Sequence, residues 1–423
     1  MNNSADSRAI DNSGDQPNVN ARRRNLLKGA MTAALVGSGM GAASLMTPSA
    51  SAASTPATLK NLVGSISANN TIPAVGYAIY ASDQPMRAFK FHRRPVGPKD
   101  VAIEIQYCGV CHSDIHTGLG HWGPQKLPLI TGHELAGVVV AVGGSVSRYR
   151  VGDRVGVGCM VDSCGVCSEC TAGFEQFCTK GTTWTYGSPT SDPTGVTQGG
   201  YSNVAVVKEH FVISVPENIE LAAAGPIMCS AVTVYSPLRH WDVRPDSKIG
   251  IVGLGGLGHI AVKLAKAMGA KVIVLTTSSD KVADAKKFGA SDVIVNYDKA
   301  SMDKYSRSLD FILDTVPYKH EMDPLVSLLK RDATLCLVGV GKADEPNQLA
   351  PITNILARNS FAGSLIGSIR ETQDVIDFCS QHNIRPEINL IPIQQINSAW
   401  REVIDKKARY RFVIDMTSLK KEI

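Results

Sequence analysis

Between residues 248 and 340 the chain alternates short apolar runs with helix-period runs, and the first run is joined to its helix by Gly253-Leu254-Gly255-Gly256-Leu257-Gly258. Lys248–Val252 has the composition of a strand buried on both faces, and His259–Met268 places Ile260, Ala261, Leu264 and Ala265 on one helical face. The pattern continues as strand Lys271–Leu275, helix Lys281–Phe288, strands Asp292–Val295 and Leu309–Asp314, helix Pro324–Lys330 and strand Thr334–Val340. Strands that alternate with helices this closely pair in parallel, because each crossover returns the chain to the same sheet edge. The expected class is therefore α/β with a doubly wound parallel sheet. A glycine-rich turn between first strand and first helix lets backbone approach a pyrophosphate, and the helix N-terminus favours its charge. Gly253, Gly255 and Gly258 stand at the positions such a turn requires, and Gly256 adds a further glycine between them.

The end of the second strand selects the nucleotide. A carboxylate there, about twenty residues past the glycines, holds a ribose diol. This chain has Thr276-Thr277-Ser278-Ser279 instead, and Asp280 comes too late. Hydroxyls with Lys281 suit a 2′-phosphate, so NADP(H) is the expected cofactor.

Metal chemistry is concentrated upstream. A β-rich run, Val101–Tyr107, delivers Cys108-Gly109-Val110-Cys111-His112-Ser113-Asp114-Ile115-His116, which packs thiol, imidazole, hydroxyl and carboxylate into nine residues. Cys111 reads as a ligand of a catalytic zinc, with His112, Ser113 and His116 placed to handle a cofactor and a proton. Gly132-His133-Glu134 follows, and then Cys164-x₂-Cys167-x₂-Cys170-x₇-Cys178. Four thiolates at such short intervals wrap a tetrahedral ion and leave no open position, which marks a structural zinc. An iron–sulfur cluster also uses four cysteines. Dense cysteines in a chain of 423 residues favour metal over disulfides. Cys229 lies within a helical run from Leu221 to Ser236, where a lone cysteine is ordinarily a small core residue. Downstream, Phe361–Ser368 reads as a last strand of the sheet, Arg370–His382 as a helix, and Tyr410–Asp415 as a strand returning to the first domain.

With 44% apolar and 19% charged residues the chain is a soluble globular protein long enough for two or three cores. A formal net charge of +5, scattered along the chain, argues against a nucleic-acid partner. Some of that charge belongs to the N-terminus. Arg22-Arg23-Arg24-Asn25-Leu26-Leu27-Lys28 precedes a Gly/Ala-rich apolar run, and Ala50-Ser51-Ala52 has the small-x-small form of a cleavage site. Residues 1–52 therefore look like a twin-arginine signal peptide, which predicts folded export by the twin-arginine machinery to the periplasm or beyond. The cytoplasm is the alternative. Residues 53–73 read as a linker.

Taken in order, G-V-C-H-S-D, G-H-E, the four spaced cysteines, Cys229 and G-L-G-G-L-G resemble the zinc-dependent medium-chain alcohol dehydrogenases. Within that family the segment Met228–Leu238 and the Thr-Thr-Ser-Ser strand end are most similar to the cinnamyl-alcohol-dehydrogenase branch, which reduces aldehydes with NADPH. The resemblance covers about residues 74–423. It implies a GroES-like, mostly-β catalytic domain over 74–216 and 359–423, and a Rossmann domain binding NADP(H) over 217–358.

The resemblance also implies two zinc ions per chain. The catalytic one is expected on Cys111, His133 and Cys229, with Glu134 behind it and Asp114 orienting His133. The structural one is expected on Cys164, Cys167, Cys170 and Cys178. Ser113 would start a proton relay that ends at His116, and His112 would meet the pyrophosphate. Thr233, Gly253, Gly255, Gly256, Leu257 and Gly258 would line the cofactor cleft. Thr277, Ser278 and Lys281 would meet the 2′-phosphate, and Arg411 is a weaker pyrophosphate candidate. His121, Trp122, Trp184 and Leu365 are candidates for the substrate edge. The implied function is hydride transfer between primary alcohols or aldehydes and NADP(H), in a homodimer. Two rivals are a non-catalytic zinc- and NADPH-binding redox sensor, and the zinc-free quinone reductases, which lack the ligand set.

Overall fold

In the computed structural model, which describes residues 70–422, a six-stranded parallel sheet and a seven-stranded mixed sheet carry the architecture. The expected signal peptide, and the linker up to residue 69, lie outside the described residues. The linker's last residues need correction. Ile72 and Pro73 already belong to the strand Ile72–Ala78, which pairs antiparallel with Arg87–Arg93.

The parallel sheet runs in the order Asp292–Val295, Lys271–Thr276, Lys248–Val252, Leu309–Asp314, Leu329–Leu337, Ser360–Gly363. Its central strands are buried on both faces, as helices on either side require. Strand order reverses on either side of Lys248–Val252, where Val252 lies beside Leu275 in one neighbour and Asp314 in the other. The turns after these three strands therefore open side by side into the crevice where such sheets bind ligands. Two expectations are corrected. Leu329 and Lys330, read as the end of a helix, open the strand Leu329–Leu337, and the preceding helix is only Asp323–Val326. Ser360–Gly363, assigned to the catalytic segment 359–423, pairs in parallel with Leu329–Leu337 and so closes the nucleotide sheet.

The mixed sheet is built on Asp100–Gly109, which pairs antiparallel with Leu135–Val142 and Val204–Lys208 and, at its far end, with Arg411–Asp415. The chain's last strand thus packs beside the strand that delivers Cys111. From Leu221 to His240 a helical stretch of twenty residues runs through the interior, apolar enough to cross a membrane but largely buried inside this fold. Its middle, Ile227–Ala231, widens into a π turn just after Pro226. A proline inside a helix lacks the N–H of the regular ladder, and wide turns of this kind favour functional sites. Cys229 stands at the centre of this one.

Candidate active site

Asp114 organises the metal loop. It is fully buried, and its two oxygens accept four hydrogen bonds: from Cys111 N–H at 3.0 Å, Gly132 N–H at 2.9 Å, His133 Nδ1 at 2.9 Å and Tyr201 Oη at 2.9 Å. Two separate turns are thereby tied to one carboxylate. With its Nδ1 proton held by Asp114, His133 presents the Nε2 lone pair, the form a metal needs. Gly132 precedes it with φ +97°, where a Cβ would press on the Tyr201 ring and the Cys108 sulfur.

His133 Nε2 lies 3.2 Å from Cys229 Sγ. Ligand atoms of Cys111, His133, Glu134 and Cys229 all fall within 4.8 Å of one another, and all four residues are buried. Two thiols, one neutral imidazole and no disulfide make a donor set that fits zinc with a position left open. A second group, Cys164, Cys167, Cys170 and Cys178, meets the same distance limit. There Cys164 N–H points at Cys178 Sγ at 3.5 Å, and Cys164 Sγ is 3.9 Å from Cys170 Sγ. Four thiols around one point fit a closed structural zinc.

Glu134 sits behind the first group, 3.2 Å from Arg411, with 0% and 4% of the two side chains exposed. Burial opposes the charge on Arg411, but Glu134 and the sulfurs of Cys111 and Cys229 more than restore it, so its pKa lies above the usual arginine value. Burial alone would push the Glu134 carboxyl well up, against the pull of Arg411. A guanidinium stays charged in proteins, and at this distance the ion-paired form is favoured. Arg411 Nη1 donates to Val110 O at 2.9 Å, Nη2 is the atom that faces Glu134, and Nε is buried without a hydrogen-bond partner. A Cβ on Gly256 would fall 3.0 Å from its guanidinium carbon. A buried guanidinium with a donor left over beside a glycine turn suits an anionic ligand.

One cleft of about 750 Å³ joins these parts. Cys111, His133, Cys229, Ser113 and Thr233 line it together with Gly253, Gly255, Gly256, Leu257, Thr277, Ser278 and Lys281. His112 and Arg411 line it too, as do Trp122, Trp184 and Leu365. Lys281 arches back so that Nζ donates to Leu254 O at 3.1 Å, and burial lowers its pKa. The residues present therefore fit a phosphorylated dinucleotide.

Some expected residues stand elsewhere. Gly258 is not on the cleft wall; its missing side chain makes room for the Gly253 carbonyl, which a Cβ would overlap. His112 Nε2 lies 2.9 Å from Tyr318 Oη, and burial lowers the imidazole pKa to about 4. His116 is off the wall as well, with Nδ1 2.9 Å from His121 Nδ1.

Tertiary structure adds residues with no sequence motif. Cys159 and Tyr186 line the cleft, and Tyr186 Oη is 3.3 Å from His133 Nδ1. His320 lines it with Nε2 2.8 Å from the buried Asp314. His259, on the helix after the glycines, donates from Nδ1 to Gly255 O at 3.0 Å and accepts from Glu387 N–H at 3.1 Å through Nε2. Only Cys159 carried a visible signal, as a cysteine just upstream of the zinc lobe.

Residues 97–217 match the alcohol dehydrogenase GroES-like domain, and residues 256–381 the zinc-binding dehydrogenase domain. The chain is 46% identical over 345 residues to the NADP-dependent alcohol dehydrogenase C 1 of Mycolicibacterium smegmatis, covering 81% of this chain and 98% of the relative. It is 47% identical over 350 residues to the aldehyde reductase YahK of Escherichia coli, covering 82% and 99%. Among solved structures, a cinnamyl alcohol dehydrogenase from Sorghum bicolor superposes with a TM-score of 0.79 at 37% identity, covering 82% of this chain and 98% of that one. The Helicobacter pylori CAD complexed with NADP(H) superposes with a TM-score of 0.78 at 40% identity, covering 82% and 99%.

Proposed function

This chain belongs to the zinc-dependent medium-chain alcohol dehydrogenases, and from that premise we propose that it interconverts primary alcohols and aldehydes with NADP(H), chiefly as an aldehyde reductase. The observation that carries the reading is that one cleft is lined both by Cys111, His133 and Cys229 and by the glycine turn. With the pyrophosphate on that turn, the same cleft would bring the cofactor's nicotinamide end and a carbonyl to the metal ligands. Relatives at 44–47% identity are NADP-dependent alcohol dehydrogenases and an aldehyde reductase, which supports the same chemistry here.

Cys111, His133 and Cys229 would hold the catalytic zinc, which acts as a Lewis acid on the substrate oxygen when bound. The chain's own residues do the rest. Asp114 keeps the Nδ1 proton on His133 and sets both turns. Ser113 moves the substrate proton outward. Arg411 and the turn Gly253–Leu257 hold phosphate, and Thr277, Ser278 and Lys281 distinguish the 2′-phosphate from a bare ribose. Cys164, Cys167, Cys170 and Cys178 would keep a structural zinc. The test is turnover of an aldehyde panel by the zinc-loaded protein with each nucleotide. NADPH should exceed NADH in kcat/KM by about 10- to 100-fold, the worth of one or two charge-assisted contacts. Equal efficiencies, or a preference for NADH, would count against the 2′-phosphate site.

The arginines at 22–24 and the Ala50-Ser51-Ala52 site support export of the folded, loaded chain. Outside the cytoplasm the cofactor would travel with the enzyme or be recycled by a second reaction there. Residues 1–52 fused to a folded fluorescent reporter should carry it across the inner membrane, and an Arg22/Arg23→Lys pair should stop it. A reporter that stays in the cytoplasm places the enzyme there.

A further inference from the structure

We propose that His121 carries the proton between His116 and solvent, so that this site uses two imidazoles in series. The inference rests on the alcohol–aldehyde reading above and extends its proton path by one residue.

The geometry is specific. His116 is buried, and its ring lies parallel to Trp122 at a centroid distance of 5.2 Å and an angle of 20°. Trp122 is itself anchored by Nε1–H donating to Gly341 O at 2.9 Å. The backbone N–H of His121 donates to the His116 carbonyl at 2.9 Å, which fixes the loop that brings the two rings together. Their Nδ1 atoms are 2.9 Å apart, while His116 Nε2 is buried with no hydrogen-bond partner. His121 is only partly buried.

Two facing nitrogens at this distance share one proton, since one must donate and the other accept. When His116 supplies it from Nδ1, its Nε2 carries a lone pair. That orphaned atom is then the port through which a proton from the cleft enters. Burial, followed by His121 and then Lys342, keeps His116 below the ordinary imidazole pKa, against Cys111; His112 is the remaining ring nearby, 6.1 Å away. His116 is therefore neutral near pH 7 and able to accept.

In the oxidation direction the O–H bond of the donor hydroxyl breaks as an N–H bond forms at His116 Nε2. The N–H at His116 Nδ1 breaks as His121 Nδ1 gains that proton. The N–H at His121 Nε2 is lost to water. One proton enters, one leaves, and no electron changes hands. Reduction runs the same steps backward. His121 touches neither substrate nor cofactor in this scheme; it is a positioning and relay residue acting through His116.

The test compares zinc-loaded wild type with His121→Gln and His121→Ala. Single-turnover alcohol oxidation is the rate measured, so that slow product release does not hide the step. Near neutral pH the rate should fall about tenfold, at the low end of what a proton-transfer group contributes. The loss should shrink as pH rises, because hydroxide can then take the proton from His116 directly, and added imidazole should restore His121→Ala. The Kd for NADP(H), measured by tryptophan fluorescence, should stay within about twofold of wild type. Unchanged rates in a wild type that turns over alcohol would overturn the relay alone. So would a loss explained by weaker cofactor binding with no imidazole rescue. A wild type that oxidises no alcohol would overturn the dehydrogenase reading, and the relay with it.

Discussion

Cys111→Ser should lower bound zinc from two ions per chain to one and cut turnover by about 10³-fold or more, while the fold persists. The rate figure follows from losing several kcal/mol of Lewis-acid stabilisation, since each 1.36 kcal/mol is tenfold. The fold should persist because what holds the loop is Asp114, which bonds the backbone of Cys111 rather than its sulfur. Asp114 also bonds Gly132 N–H and Tyr201 Oη, and neither bond needs a metal. The four-cysteine lobe has its own antiparallel pair, Met160–Asp162 with Thr183–Trp184, and shares no ligand with the catalytic group. The remaining zinc should therefore sit on Cys164, Cys167, Cys170 and Cys178. Metal analysis and aldehyde turnover on the same preparation check both halves. Two zinc ions retained, or turnover undiminished, would mean that Cys111 is not a ligand. The same experiment distinguishes an enzyme from a redox sensor, because a sensor would have no turnover to lose.

Glu134→Gln should be the most destabilising single change at the site, by about 3–5 kcal/mol, because it leaves a buried guanidinium without its countercharge. Arg411 keeps its bond to the Val110 carbonyl, but a neutral amide cannot offset a charge that is only 4% exposed. At a few degrees per kcal/mol for a chain of this size, the melting temperature should drop by on the order of 10 °C. Lys299→Ala, which breaks the exposed helix pair with Asp303 at 2.8 Å, is the control and should barely move it. The outcome also decides between the two pressures on Glu134. A melting temperature close to wild type would mean that burial has already protonated the carboxyl in the folded protein, so that no ion pair was lost. Binding of NADP(H) should raise the melting temperature of the variant, since an anionic ligand beside Gly256 replaces part of the missing charge.

The sequence by itself determined whatever is encoded within a short stretch. Four cysteines inside fifteen residues point to one shared metal site, and a strand, a glycine turn and a helix in succession point to a phosphate cradle. The Thr-Thr-Ser-Ser strand end is equally local, since it follows directly from its strand. The tertiary structure decided what depends on distant segments converging. His133 and Cys229 are 96 residues apart, and their 3.2 Å approach depends on a buried helix whose start, Leu221–Pro226, packs on the strand Asp100–Gly109 and which then widens at Ile227–Ala231. Tyr201 reaches Asp114 across 87 residues. Tyr318 meets His112 from the loop after the strand Leu309–Asp314, 206 residues away. Phe361–Ser368 announced a last strand, but its short observed core, Ser360–Gly363, and its place in the nucleotide sheet are set by the backbone of Leu329–Leu337 beside it. His121 is the clearest case. In the chain it reads as a candidate for the substrate edge, yet it does not line the cleft; the loop that folds it back, and the tryptophan that clamps its neighbour, turn it into half of a hydrogen bond.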